Sequence, residues 1–169
     1  MYHRKNKIVD ICIIAVFSAL LFAQEQALSF LPNIQLTVFL IVLYSKVFGF
    51  IKTIIIVCVH VLLDNIVMGS FSFHYTPFML IGWLIIPITL STIFKQFESN
   101  ISLALLGIVF SIIYSFVMLI PNIFITEIDI FVYLIKDIPF EIILAMSSFL
   151  SILLLYNPAK KCFDRYIKA

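Results

Sequence analysis

The chain has 169 residues, of which 63% are hydrophobic and 12% charged, with a formal net charge of +2. Soluble proteins are roughly 45–50% apolar and about 25% charged, so this composition excludes an ordinary soluble domain and predicts an integral membrane protein. With each helical span needing about 20 residues, the length holds roughly six spans and little else.

The first predicted span is Ile8–Phe30. A basic stretch precedes it, as in a signal peptide, but the apolar run is long and no clear cleavage site follows, so it reads as a retained helix. Within it Ala15, Ala19 and Ala23 repeat every fourth residue among bulky Ile, Leu and Phe. Positions four apart share a helix face, so the alanines leave a flat groove. In hydrocarbon, small residues permit close backbone approach, which suits either docking on a partner or packing within one bundle.

The second and third spans, Leu36–Phe50 and Thr53–Met68, are short and joined by a tight turn around Gly49–Lys52. The remaining spans are Pro77–Phe94, Ile101–Ile120 and Pro139–Tyr156. Pro32, Pro77, Pro121, Pro139 and Pro158 fall at or beside these span ends, which suits a residue that can start a helix but not continue one. Pro87 lies inside the fourth span and predicts a kink. The three cysteines, Cys12, Cys58 and Cys162, are widely spaced and predict neither a disulfide nor a metal site.

Positive charge sets the orientation. With the N-terminus inside, ten of the eleven Lys and Arg residues fall on the inner side and only Lys136 is left outside. An odd number of spans would split the two basic tails. The sequence therefore predicts a single six-transmembrane-helix bundle over residues 1–169, all-α, with both termini cytoplasmic. Acidic and amide residues collect at the opposite end: Glu25, Asp64, Glu127, Asp129, Asp137 and Glu141, with Gln24, Gln26, Asn33, Gln35 and Asn65. A charge inside a span costs several kcal/mol unless it faces a cavity or finds a partner. This predicts a polar pocket open to the outside.

The six spans, the basic ends and the Ala-xxx-Ala stripe together resemble the S components of energy-coupling factor (ECF) transporters, the substrate-capturing membrane subunits of bacterial and archaeal vitamin importers. Ser29-Phe30-Leu31-Pro32-Asn33-Ile34 is similar to the Leu-Pro-Asn turn of many members. Asp137-Ile138-Pro139-Phe140-Glu141 resembles their Gly-Ile-Pro-Phe-Asp element, with Asp137 in place of the Gly and Glu141 in place of the Asp. The resemblance implies a multi-pass protein of the cell membrane, with a transmembrane coupling subunit and two ABC ATPases as partners. It implies a vitamin-like ligand bound outside and released inside. Ala15, Ala19 and Ala23 would form the docking face. The chain itself would be no enzyme and carry no cofactor, ATP being used by the partner subunits; the absence of a GxxxxGK[ST] loop is consistent with this. No nucleic-acid partner is implied.

Six residues are the substrate-binding candidates: Asn33, Asp64, Asn65, Tyr75, Trp83 and Glu141. Asn33 sits in the loop that gates the pocket in the family, and is equally a turn residue. His60 and Asp64 share a helix face; they form either a buried pair or a site in which His60 orients Asp64 and Asn65 reaches the ligand. Tyr75 and Trp83 are membrane-interface anchors or stacking partners for a flat ligand. Glu141 lies about one turn into the last span, where Lys136 is its possible partner. Asp137 reads as a helix cap, and Glu127 and Asp129 as solvated loop charges. No metal site is expected. The small residues Gly107, Ser111 and Ser115, and likewise Ser147 and Ser151, read as helix-packing stripes. The carboxylates, amides and aromatics favour a neutral or cationic heteroaromatic ligand, and the lack of an outer Arg disfavours polyanions. The competing reading is a small non-transporting membrane protein that packs with partner helices.

Overall fold

The computed structural model describes residues 2–69, 71–126 and 129–166, with side chains over 7–69, 71–125 and 129–165. The described residues form six helices and no strand: α1 (Tyr2–Leu28), α2 (Thr37–Val47), α3 (Phe50–Val67), α4 (Thr76–Ser91), α5 (Asn100–Thr126) and α6 (Ile130–Tyr166). Of these α1, α3, α5 and α6 are long and apolar enough to cross a membrane, whereas α2 and α4 are shorter apolar helices. The fold is therefore all-helical and compatible with a multi-pass membrane protein.

α2 is the axis of the bundle. Every residue from Thr37 to Tyr44 is buried, as expected for a helix that is apolar on all sides. It touches each of the other five helices. Only Phe48 and Gly49 separate it from α3, and Gly49 takes φ of 81°, a conformation that costs glycine little. α1 lies at the edge, packed on α3 and the side of α2. Its inward face is Phe17, Ser18 and Leu21; Ala15, Ala19 and Ala23 point outward beside exposed Val16 and Leu20. The alanine groove is thus outside the bundle and takes no part in its internal packing.

α5 and α6 form a long antiparallel hairpin held by small residues. Ser111 Oγ and Ser148 Oγ lie 2.9 Å apart in the buried seam. A Cβ added at Gly107 would come within 2.6 Å of Ile152 Cδ1 and 3.5 Å of the Ser148 carbonyl. Gly107→Val is therefore expected to lower stability by about 1–3 kcal/mol through overpacking, read as a fall in melting temperature in detergent; an unchanged value would refute close packing at this seam.

Three prolines depart from expectation. Pro121 lies inside α5, and Pro139 and Pro158 lie inside α6. A helical proline forfeits one backbone hydrogen bond, yet both helices continue through these positions. At Pro121 the adjoining Asn122 side chain also donates to the Met118 carbonyl at 2.8 Å. As a result α5 and α6 extend beyond the predicted spans. Asp137, expected as a cap, is well inside α6. The cap is Asp129, whose Oδ1 accepts the N–H groups of Phe131 and Val132 at 2.9 and 3.2 Å; it is not a free loop charge. Glu127 lies outside the described residues. α4 starts as expected, with Pro77 in its first turn, and continues through Pro87.

Charge is sorted between the two ends of the bundle. At one end Lys52 pairs with Asp10 at 2.6 Å, and Lys46 Nζ donates to the Phe94 and Lys95 carbonyls beyond α4. There Phe17, Phe48 and Phe163 pack ring against ring, bringing the end of α6 beside α1 and the α2–α3 junction. The other end carries Glu25, Asp64, Asp137 and Glu141 with the amides of Gln24, Gln26 and Asn33, while Asp10 and Glu98 stay beside the lysines.

Candidate functional site

The polar end holds a cavity of about 400 Å³ beneath the connection between α1 and α2. Glu25 and Gln26 reach it from the last turns of α1, Asp64 and Met68 from the end of α3, and Tyr114 from the middle of α5. Leu28, Ser29 and residues 31–35 supply the rest of the lining.

That connection is tied down on both sides. Gln24 Oε1 accepts the Leu36 N–H at 2.9 Å, and Gln24 Nε2 donates to Thr37 Oγ1 at 2.8 Å. Ser147 of α6 donates to the Gln35 carbonyl and accepts its N–H, at 3.0 and 3.2 Å. Asn33, in the left-handed region at φ 55°, donates from Nδ2 to the Phe140 carbonyl at 3.1 Å. Asn tolerates that backbone better than most residues, so one residue provides both the turn and the tether. Asn33→Gly keeps the turn and deletes the tether. Losing a bond worth about 1 kcal/mol should speed amide hydrogen exchange in residues 29–36 by roughly fivefold; unaltered exchange would show that the tether does not restrain the loop.

The charged groups pair differently from expectation. His60 does not pair with Asp64. Its Nε2 stands 3.1 Å from Glu25 Oε2, across the α1–α3 contact, and the residue is only 1% exposed. Asp64 instead accepts a hydrogen bond from Gln26 Nε2 at 3.1 Å. Adjacent α1 side chains thus hold two successive turns of α3, a pairing between helices that spacing along one helix could not reveal.

The six predicted site residues divide. Asn33 and Asp64 line the cavity. Asn65 is buried behind it in structural bonds, accepting from Thr76 Oγ1 at 2.8 Å and donating to the Val61 carbonyl at 2.8 Å. Trp83, 2% exposed, backs the site: its ring stacks on Tyr114 with centroids 3.9 Å apart. Gly82 makes room for Tyr114, since a Cβ there would lie 2.7 Å from its ring. Tyr75 joins a separate chain in which its hydroxyl donates to Asn122 Oδ1 and Asn122 Nδ2 donates to the Tyr133 hydroxyl, each at 3.0 Å.

Glu141 belongs to a second, smaller cavity of about 130 Å³ between α5 and α6, lined also by Ser115, Tyr133 and Asp137. Ser115 Oγ donates to Asp137 Oδ2 at 2.9 Å, and Glu141 Oε1 is enclosed without a well-formed hydrogen bond, although Ser115 is close by. Lys136 is exposed and forms no ion pair with Glu141. Five residues apart on a continuous helix, the two point in different directions.

Glu25, Gln26, Gln35 and Tyr114 line the main cavity and were not among the six. Glu25 and Gln26 could have been singled out from the polar run near the end of the first apolar segment, and Gln35 from its place two residues after Asn33 in the following connection. Tyr114 carries no such signal, lying in an apolar stretch whose facing is set by Gly82 and Trp83. The chain matches no protein-family model, and no curated protein or solved structure is significantly similar to it.

Proposed function

We propose that this chain is the substrate-binding membrane subunit, or S component, of an ECF-type importer. In this reading all six helices cross the bilayer in alternation, both basic ends face the cytoplasm, and the polar end faces outside. The observation that carries the proposal is the cavity of about 400 Å³ at the acidic end, roofed by the tethered 29–36 connection. Its volume falls in the range of small-molecule sites, about 300–1,000 Å³. Large apolar side chains such as Ile11, Phe116 and Leu154 are exposed on the helix exteriors, which suits a lipid surround. The outward alanine face of α1 supplies a flat surface for a transmembrane coupling subunit, with two ABC ATPases behind it.

Under this proposal the cavity captures a small water-soluble micronutrient outside, and the coupled ATPases drive its release inside. A non-transporting assembly subunit would use the same alanine face but has no need of a roofed polar cavity. Mass spectrometry of small molecules retained through purification, with co-purification against a coupling subunit and its ATPases, tests the proposal. A retained micronutrient and a stable complex are expected. An empty cavity together with no complex would sink it.

A further inference from the structure

We infer that the main cavity selects a small organic cation, with its positive centre held between Glu25 of α1 and Asp64 of α3. This rests on the cavity being the ligand site of the proposed subunit, and adds the chemical class of what it takes. Both carboxylates line the cavity, and its lining contains no Lys or Arg. Lys46 and Lys52, which bond to the Phe94 carbonyl and to Asp10, are at the other end of the bundle.

α1, α3 and α5 each place a polar group beside the two acids. α3 contributes His60, fully buried, with Nε2 3.1 Å from Glu25 Oε2 and Nδ1 lacking any hydrogen-bond partner. α1 contributes the neutral Gln26 amide, bonded to Asp64. α5 contributes the Tyr114 phenol. With both acids ionised, even a protonated His60 balances only one of the two carboxylates, and a second positive charge is needed to complete the set. Leu28, Leu31, Ile34 and Met68 share the rest of the lining with Ser29, Asn33 and Gln35, neutral groups that leave the two acids to set the field in the concave opening.

The ligand classes then separate. An anion would add a third negative charge. A neutral ligand would displace water from Asp64 and Glu25 without offsetting their charge, which costs desolvation energy. A cation supplies the missing counter-charge, and the Tyr114 ring offers it an aromatic surface as well.

The test uses the isolated full chain in detergent and measures ligand-induced thermal stabilisation. The cations are thiamine, choline and N-methylnicotinamidium. Nicotinamide and dimethylbutanol, a carbon isostere of choline, are the neutral counterparts; nicotinate and pantothenate are the anions. At least one cation should stabilise the chain in preference to its neutral counterpart or to the anions. Glu25→Gln and Asp64→Asn should each weaken that binding by about 30-fold, the effect of removing one partner from an enclosed charge pair.

No stabilisation by any cation, stronger stabilisation by a neutral or anionic compound, or full affinity in both variants overturns the inference. Should either variant misfold, the wild-type ranking decides by itself. Cation binding without a coupling complex would remove the importer reading and leave the cation site standing. Uptake of a neutral or anionic micronutrient would do the reverse.

Discussion

Replacing Ala19 with Trp is expected to abolish energised uptake while ligand binding by the isolated chain survives. Ala19 is the middle of three outward-facing alanines on a helix that packs mainly on α3 and α2, its Phe17 also meeting Phe163 of α6 from the opposite face. An indole there meets nothing inside the bundle, so the fold and the cavity have no reason to change. A partner helix that approaches along this face would be held away by several ångströms, and helix association in hydrocarbon depends on that close packing. The measurement pairs uptake into vesicles containing the whole complex with binding by the purified chain. Loss of both would place Ala19 in the fold, and retention of both would remove the docking role. Ala15→Trp, one turn away on the same face, should behave alike.

Gly82→Ala should damage stability and binding together. The added methyl would stand 2.7 Å from Tyr114 Cδ2 and 3.2 Å from Cε2. The Tyr114 ring cannot simply yield, because Trp83 stacks on it at 3.9 Å and is itself buried. Relief requires the stack to open or α4 to move off α5. Overpacking of this kind costs about 1–3 kcal/mol. Since Tyr114 lines the cavity, its displacement should weaken ligand binding as well. A fall in melting temperature with unaltered affinity would mean that Tyr114 closes the cavity without contacting the ligand. No change in either would contradict the close α4–α5 approach.

These two substitutions also mark the division between what is legible along the chain and what is not. Ala15, Ala19 and Ala23 could be picked out by spacing, because a small residue every fourth position defines a helix face whatever surrounds it. Gly82 and Tyr114 could not be connected, being 32 residues apart and joined only by the packing of α4 on α5. The same holds for His60. Its distance of four from Asp64 suggested an intrahelical pair, but the rotation of α3 against α1 brings Glu25 to it and leaves Asp64 to Gln26. Glu141 shows the limit most plainly. Its carboxylate was a sound signal for a polar site, yet α6 continues through Pro139 and places it in a second cavity against α5.

By itself the sequence determined that the chain is apolar and helical, where most of its helices lie, and that acid and base collect toward opposite ends. It also marked α1 as a face of small residues. Composition, periodicity and charge asymmetry are local or additive properties, and they survive without knowledge of the fold. Tertiary structure alone decided that the alanine face points away from the bundle, that a central α2 is enclosed on all sides, and that Glu25, Asp64 and Tyr114 from three helices line one cavity. Those outcomes depend on how each helix is rotated against its neighbours. That rotation is set by many weak contacts acting together, such as the seam at Gly107 and Ser148 and the ring contact above Gly82, and no segment carries it alone.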